Sequence, residues 1–270
     1  MSRSDATTGE AAGPGGIRRA AILAGIAVAV IALWQAGVWA SGISPFLLPG
    51  PDRVAAVLWS DRALIAENAV ITMGEVLAGL ALGTLLGGAT ALGLAAAPRV
   101  ASLAMPVLVF SQAIPFFALA PILVLWFGFG VASKIAMAVL IIYFPVTSAF
   151  YDGLRRTDPG LVDLARVMGA SDRRTLWVLR VPAGLPAFAS GLRLATVYAP
   201  VGAVIGEWVG GAYGGLGYLM LLANGRSKID LMFACLLVLA VFTLALYAAV
   251  DRSAQGIERW SAGRRPGADG

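Results

Sequence analysis

Residues 20–40 hold no Asp, Glu, Lys or Arg, and uncharged apolar runs recur at 76–97, 103–127 and 231–250. A helix of about 20 apolar residues is what crosses the roughly 30 Å hydrocarbon core of a bilayer. Inside that core every backbone N–H and C=O needs a protein partner, and an α-helix supplies it within one segment. Such runs predict an all-α, polytopic membrane bundle. Composition agrees: 59% of the 270 residues are hydrophobic and 13% charged, against about 25% charged in ordinary globular domains. That apolar content excludes a disordered chain. A single Cys excludes an intrachain disulfide, and the absence of His excludes histidine chemistry.

Six spans are expected, at 20–40, 76–97, 103–127, 135–150, 183–209 and 231–250. Pro106, Pro115 and Pro121 in the third and Pro145 in the fourth predict broken or kinked helices, tolerated where a bundle re-satisfies the freed carbonyls. Arg18 and Arg19 before the first run resemble the start of a signal peptide. The run, however, exceeds the usual apolar region of about 7–15 residues, which favours an uncleaved helix. Residues 1–16 read as a disordered cytoplasmic tail, 17–252 as the transmembrane domain and 253–270 as a second cytoplasmic tail. No internal repeat is evident.

Cation placement sets the orientation, because Lys and Arg concentrate on the cytoplasmic side. With both termini inside, fourteen of the 20 Lys and Arg residues fall in cytoplasmic segments, and five (Arg53, Arg62, Lys134, Arg226 and Lys228) fall outside. The net charge of +5 is therefore a topology signal. No basic patch interleaved with aromatic residues points to nucleic acid.

Six of the arginines crowd one cytoplasmic loop, 151–182. Asp158 followed by Pro159 reads as a helix N-cap and first residue. Leu161, Leu164, Ala165 and Met168 then recur along one helix face, and Gly169 ends that helix. Ser171 caps a second helix expected to end at Arg180, with Pro182 opening the fifth span. The loop contains nothing to bury the apolar stripe. It either lies on lipid headgroups or docks in a groove on a soluble partner.

Asp163-Leu164-Ala165, three residues, Gly169, nine residues, then Leu179-Arg180-Val181-Pro182 resembles the EAA motif of ABC importer permeases. Asp163 stands for the usual Glu, Leu164 for Ala, Leu179 for Ile and Val181 for Leu. The resemblance extends to the nitrate, sulfonate and taurine branch through Leu48-Pro49-Gly50-Pro51, Ile114-Pro115, Leu125-Trp126-Phe127-Gly128 and Gly206-Glu207-Trp208-Val209. Leu222-Ala223-Asn224-Gly225-Arg226 and Asp230-Leu231-Met232-Phe233-Ala234 are similar to permeases for hydroxymethylpyrimidine, a thiamine precursor.

The resemblance implies a membrane-spanning permease subunit in a bacterial inner membrane, working as a homodimer with a solute-binding protein. A cytoplasmic ATPase would carry the ATP and Mg, and this chain would bind no cofactor. It implies that Asp163, Leu164, Ala165, Met168, Gly169, Ala170, Leu179 and Pro182 couple to that ATPase. In keeping with this, the chain has no G-x-x-x-x-G-K-[ST] phosphate loop. Nitrate, sulfonates and taurine are the other expected cargoes. A secondary transporter or channel is the reading from another class.

Candidate pathway residues are Gln112, Trp126, Tyr143, Tyr198 and Glu207. Thr147 and Ser148 are further polar groups within a span. Phe116, Phe117 and Trp126 either stack on a flat solute or face lipid. Glu207 reads as an interfacial carboxylate beside the belt residue Trp208 or as an outer gate, and Glu75 as interfacial. Arg193 is expected to snorkel to the cytosolic interface. The Gly79, Gly83, Gly87 ridge permits close helix approach, within one subunit or at a dimer seam. The glycine-rich run 210–217 reads as a flexible outer turn, and Cys235 as a packed small hydrophobe. No metal site is legible.

Overall fold

A computed structural model describes residues 14–44, 46–210 and 214–262, and these contain helices but no strand. The order is α1 (Pro14–Ser41), α2 (Pro51–Ser60), α3 (Arg62–Ala96), α4 (Pro98–Ser111), α5 (Phe116–Phe127) and α6 (Val131–Arg155). Next come α7 (Pro159–Val167), α8 (Asp172–Thr175), a π-helical turn (Leu176–Arg180), α9 (Val181–Gly210), α10 (Leu216–Gly225) and α11 (Ile229–Ala262). Among the described residues four helices are long and apolar enough to cross a membrane, or five where the bent pair α4–α5 is counted as one span. These carry five of the six expected spans, and 20–40 falls on α1. The expected tail 1–16 lies almost wholly outside the described residues.

The proline-rich third span is broken as expected, with α4 and α5 meeting at 101°. Pro115 occupies the N-cap of α5. It offers no N–H, and its ring pushes Ile114 out of the helical region.

The centre of the bundle is α6, gripped by α3 on one side and α9 on the other. Added Cβ atoms would lie 2.5 Å from Ala138 Cβ at Gly79 of α3, and 2.7 Å from Ala138 Cα at Gly202 of α9. The expected glycine ridge thus packs within the chain. Gly83 faces Ile142 and Gly87 faces Val146 and Thr147. Around this seam Val76, Leu80, Ile142, Val146, Ala195 and Ala199 form the middle of the core.

A second core lies towards the outer end, where Val54 of α2, Ile65 and Ala69 of α3, Leu216 and Leu219 of α10, and Cys235 of α11 meet. The start of α3, the whole of α10 and α2 therefore form a cap on the bundle. Cys235 packs there as expected.

Two spans start earlier than hydropathy suggested. The apolar run at 76 begins within α3, whose helix starts at Arg62, and the run at 135 begins within α6, which starts at Val131. Glu75 and Lys134, each one residue outside an expected span, are thus inside long helices. The final helix likewise continues past 253 to Ala262.

Candidate functional site

In the loop before the fifth expected span, the Asp158 carboxylate accepts the Gly160 N–H at 2.7 Å, with Pro159 as the first helical residue. Gly169 has φ +78°, a left-handed conformation that L side chains rarely adopt. Ala170 N–H reaches Ala165 O and Gly169 N–H reaches Arg166 O, both at 2.9 Å. These paired bonds are a Schellman closure of α7.

Of α7's apolar residues, Val162 packs inward and is 7% exposed. Leu164 and Met168 remain 55% and 78% exposed, so the expected stripe is unpartnered within the chain. Asp163 is exposed beside Arg166 at 3.4 Å, and Ala165 and Ala170 are half-buried. Leu179 and Pro182 stand elsewhere, lining a cavity of about 900 Å³ with Leu161, Arg156 and Trp177.

The second helix of the loop does not stop at Arg180. Ser171 caps it, accepting Arg174 N–H at 3.3 Å, and it then runs unbroken as one 39-residue helix, Asp172–Gly210. Pro182 lies inside it. The π-helical turn just before it, closed by Val181 N–H to Leu176 O, widens the helix where the proline ring would meet the preceding turn.

At the Gly210 end of that long helix the structure assembles a group that the sequence reading dispersed. Glu207, expected at the lipid–water interface, is 0% exposed, as is Lys134, and Glu75 is 2% exposed. Lys134 Nζ donates to Glu75 Oε1 at 3.0 Å and to Gly214 O at 2.8 Å. Glu207 accepts from Thr72 Oγ1 at 2.6 Å, from Tyr218 N–H at 3.2 Å and from Gly217 N–H.

The logic is that of a helix terminus. The first N–H groups of α10 have no intrahelical partner. Asn68 Oδ1 takes the Gly215 N–H at 2.8 Å, Thr72 Oγ1 takes that of Leu216 at 2.7 Å, and Glu207 takes the next two. A carboxylate is favoured at that end by the helix dipole. Side chains at Gly215 and Gly217 would collide with the Glu207 carboxylate. The part of the 210–217 run within the described residues is thus a fitted wrap around Glu207 rather than a flexible turn; 211–213 lie outside them. Trp208 completes it, donating to Gly217 O at 3.0 Å.

One signal could have exposed this cluster. Asn68, Thr72 and Glu75 fall at i, i+4 and i+7, on the same face of α3 as the later glycines.

Arg193 does not rely on snorkelling. It bridges α9 to α11 through Asp251 at 2.7 Å and Glu258 at 2.6 Å. Tyr143 donates to Thr90 Oγ1 at 3.1 Å, and Thr147 to Tyr143 O at 2.7 Å. Gln112 ends α4 at the bend, Trp126 is exposed near the end of α5, and Tyr198 is part-exposed on α9. None of the five pathway candidates lines the cavities of about 530, 210 and 900 Å³. Among the described residues no group of three or more Cys, Asp or Glu is arranged to hold a metal ion.

Residues 79–261 match the family model of the binding-protein-dependent transport system inner membrane component. The chain is 49% identical over 222 residues to a probable ABC transporter permease protein of Haemophilus influenzae, covering 82% of this chain and 90% of that one. It is 36% identical to the formylaminopyrimidine transport permease protein ThiX of Halalkalibacterium halodurans, covering 83% and 89%. Further relatives carry names for riboflavin, aliphatic sulfonate and taurine transport. Among solved structures, a chain of the inward-facing MetNI methionine ABC transporter superposes with a TM-score of 0.65 at 17% identity, covering 73% of this chain and 98% of that one.

Proposed function

The chain belongs to the binding-protein-dependent transport system inner membrane component family, and from that premise we propose that it imports a thiamine-precursor pyrimidine of the hydroxymethylpyrimidine type. As a family member it is a multi-pass inner-membrane permease subunit of an ABC importer. ATP hydrolysis resides in a separate subunit, and an ATPase and a substrate-binding protein are its partners. The observation that carries the substrate is the 36% identity, over 83% of the chain, to a permease named for formylaminopyrimidine. Sulfonate and taurine permeases are also relatives, but Arg193, a cation within the spans, is already neutralised by Asp251 and Glu258. A free intramembrane cation for an anionic cargo is therefore lacking at that position.

In this reading α7 seats in the ATPase through Leu164 and Met168, with Asp163 at the rim. Gly169 turns the chain into the long helix that carries the movement inward. A second copy of the chain completes the pathway. Gln112, Trp126 and Tyr198 are open to a solute or to that copy, whereas Tyr143 and Glu207 are engaged within the chain.

The test is uptake into proteoliposomes holding the permease, its ATPase and its binding protein. Labelled hydroxymethylpyrimidine should accumulate only with ATP, and an excess of taurine or nitrate should leave uptake unchanged. Competition by an oxyanion, with no pyrimidine uptake, would overturn the substrate. Uptake that survives an inactive ATPase but collapses with an ionophore would instead establish a secondary transporter.

A further inference from the structure

At the cytoplasmic end, the turn between α3 and α4 faces the start of the long helix across a cavity of about 530 Å³. One wall is apolar, formed by Leu92, Ala96 and Pro98. The other carries Arg166, Arg173 and Arg180 with one acid, Asp172. A neighbouring cavity of about 210 Å³ shares Pro98 and Arg180 and adds Arg155. Four guanidinium groups thus line the two hollows against one carboxylate.

These cations are largely uncommitted. Arg173 and Arg180 form no ion pair among the described residues. Arg166 has only the exposed Asp163 at 3.4 Å, a kind of pair that contributes little. Arg155 lies 5.6 Å from the centre of the Tyr151 ring.

We propose that this cavity binds a phosphate group, supplied by the headgroup of an anionic phospholipid of the cytoplasmic leaflet. Guanidinium pairs phosphate oxygens two at a time. The location fits a headgroup: the cation count places the α3–α4 turn and the 151–182 loop on the cytoplasmic side, and the half-exposed Trp177 is an interfacial residue type. The apolar wall suits the acyl-chain stems, which a soluble phosphate ester lacks. Basic hollows between helices on this side are where anionic headgroups collect. A bound headgroup ties the α3–α4 turn to the root of the long helix.

The experiment uses the assembled importer in nanodiscs of phosphatidylcholine alone, or doped with phosphatidylglycerol, and in phosphatidylcholine with added inorganic phosphate. Thermal unfolding and native mass spectrometry read the effect. Phosphatidylglycerol should raise the unfolding midpoint and stay bound, and inorganic phosphate should do neither. Arg173→Gln and, separately, Arg180→Gln should weaken phosphatidylglycerol retention several-fold and remove its thermal shift. Arg252→Gln, an exposed cation outside the cavity, should leave the shift intact. A phosphatidylglycerol shift equal in all variants overturns the site. A variant-sensitive shift with inorganic phosphate alone keeps the phosphate site and overturns the lipid as its source.

Discussion

Lys134 illustrates what a single residue does in this chain. It has two partners, Glu75 and the Gly214 carbonyl, and no contact with water. Removing one member of a buried charge pair leaves the other uncompensated and costs about 3–5 kcal/mol. Lys134→Met is therefore expected to lower the unfolding temperature sharply, and adding Glu75→Gln should recover part of the loss. If both variants prove equally destabilised, the pair is not the source of the cost. The sequence hid this residue for a physical reason. Hydropathy windows end at charges, so Glu75 and Lys134 marked span boundaries and were assigned to the surface. Pairing across helices, which makes both tolerable inside, depends on two residues 59 positions apart. Glu207 was misplaced for the same reason, since its partners are the backbone of a helix not yet inferred.

At the scale of elements, local signals were reliable. Asp158, Pro159, Gly169 and Ser171 all cap or end helices where their chemistry predicts, because capping depends on residues within one turn. What failed was the end of the loop. Pro182 looked like a boundary, but a π-helical turn absorbed it, and that adjustment has no sequence signature. Gly169→Pro forces φ near −65° onto a position at +78°. It should abolish ATP-driven uptake and coupled hydrolysis while membrane insertion, read by fractionation, stays normal. Retained coupling would sink the docking role of α7. Gly202 tests the packing seam. Its missing Cβ leaves room for the Ala138 backbone, and overpacking commonly costs about 1–3 kcal/mol. Because backbone rather than a side chain must yield, Gly202→Leu should exceed that range and reduce the folded yield in membranes. A wild-type melting curve would argue against so tight a contact.

For the whole molecule, the uncharged apolar runs anticipated an all-helical bundle. The outer cap escaped notice, because α2 and α10 are short helices whose burial comes from α3 and α11. Arg193, Asp251 and Glu258 join α9 to α11 across 58 and 65 positions of sequence. Arg193→Gln is expected to cost about 1.5–3 kcal/mol, the range for hydrogen bonds to charged groups. It should also lower solute moved per ATP hydrolysed, measured in proteoliposomes. An unchanged ratio with a lowered melting point would confine Arg193 to a structural role.

The unbroken helix Asp172–Gly210 has a mechanical consequence. Its 39 residues span roughly 58 Å at about 1.5 Å per residue, so a tilt of about 5° at the cytosolic root sweeps the far tip through roughly 5 Å. That tip carries Glu207, which holds the end of α10. The helix therefore has the geometry of a lever arm, in which a small stroke at the Asp172 end is magnified at the Glu207 end.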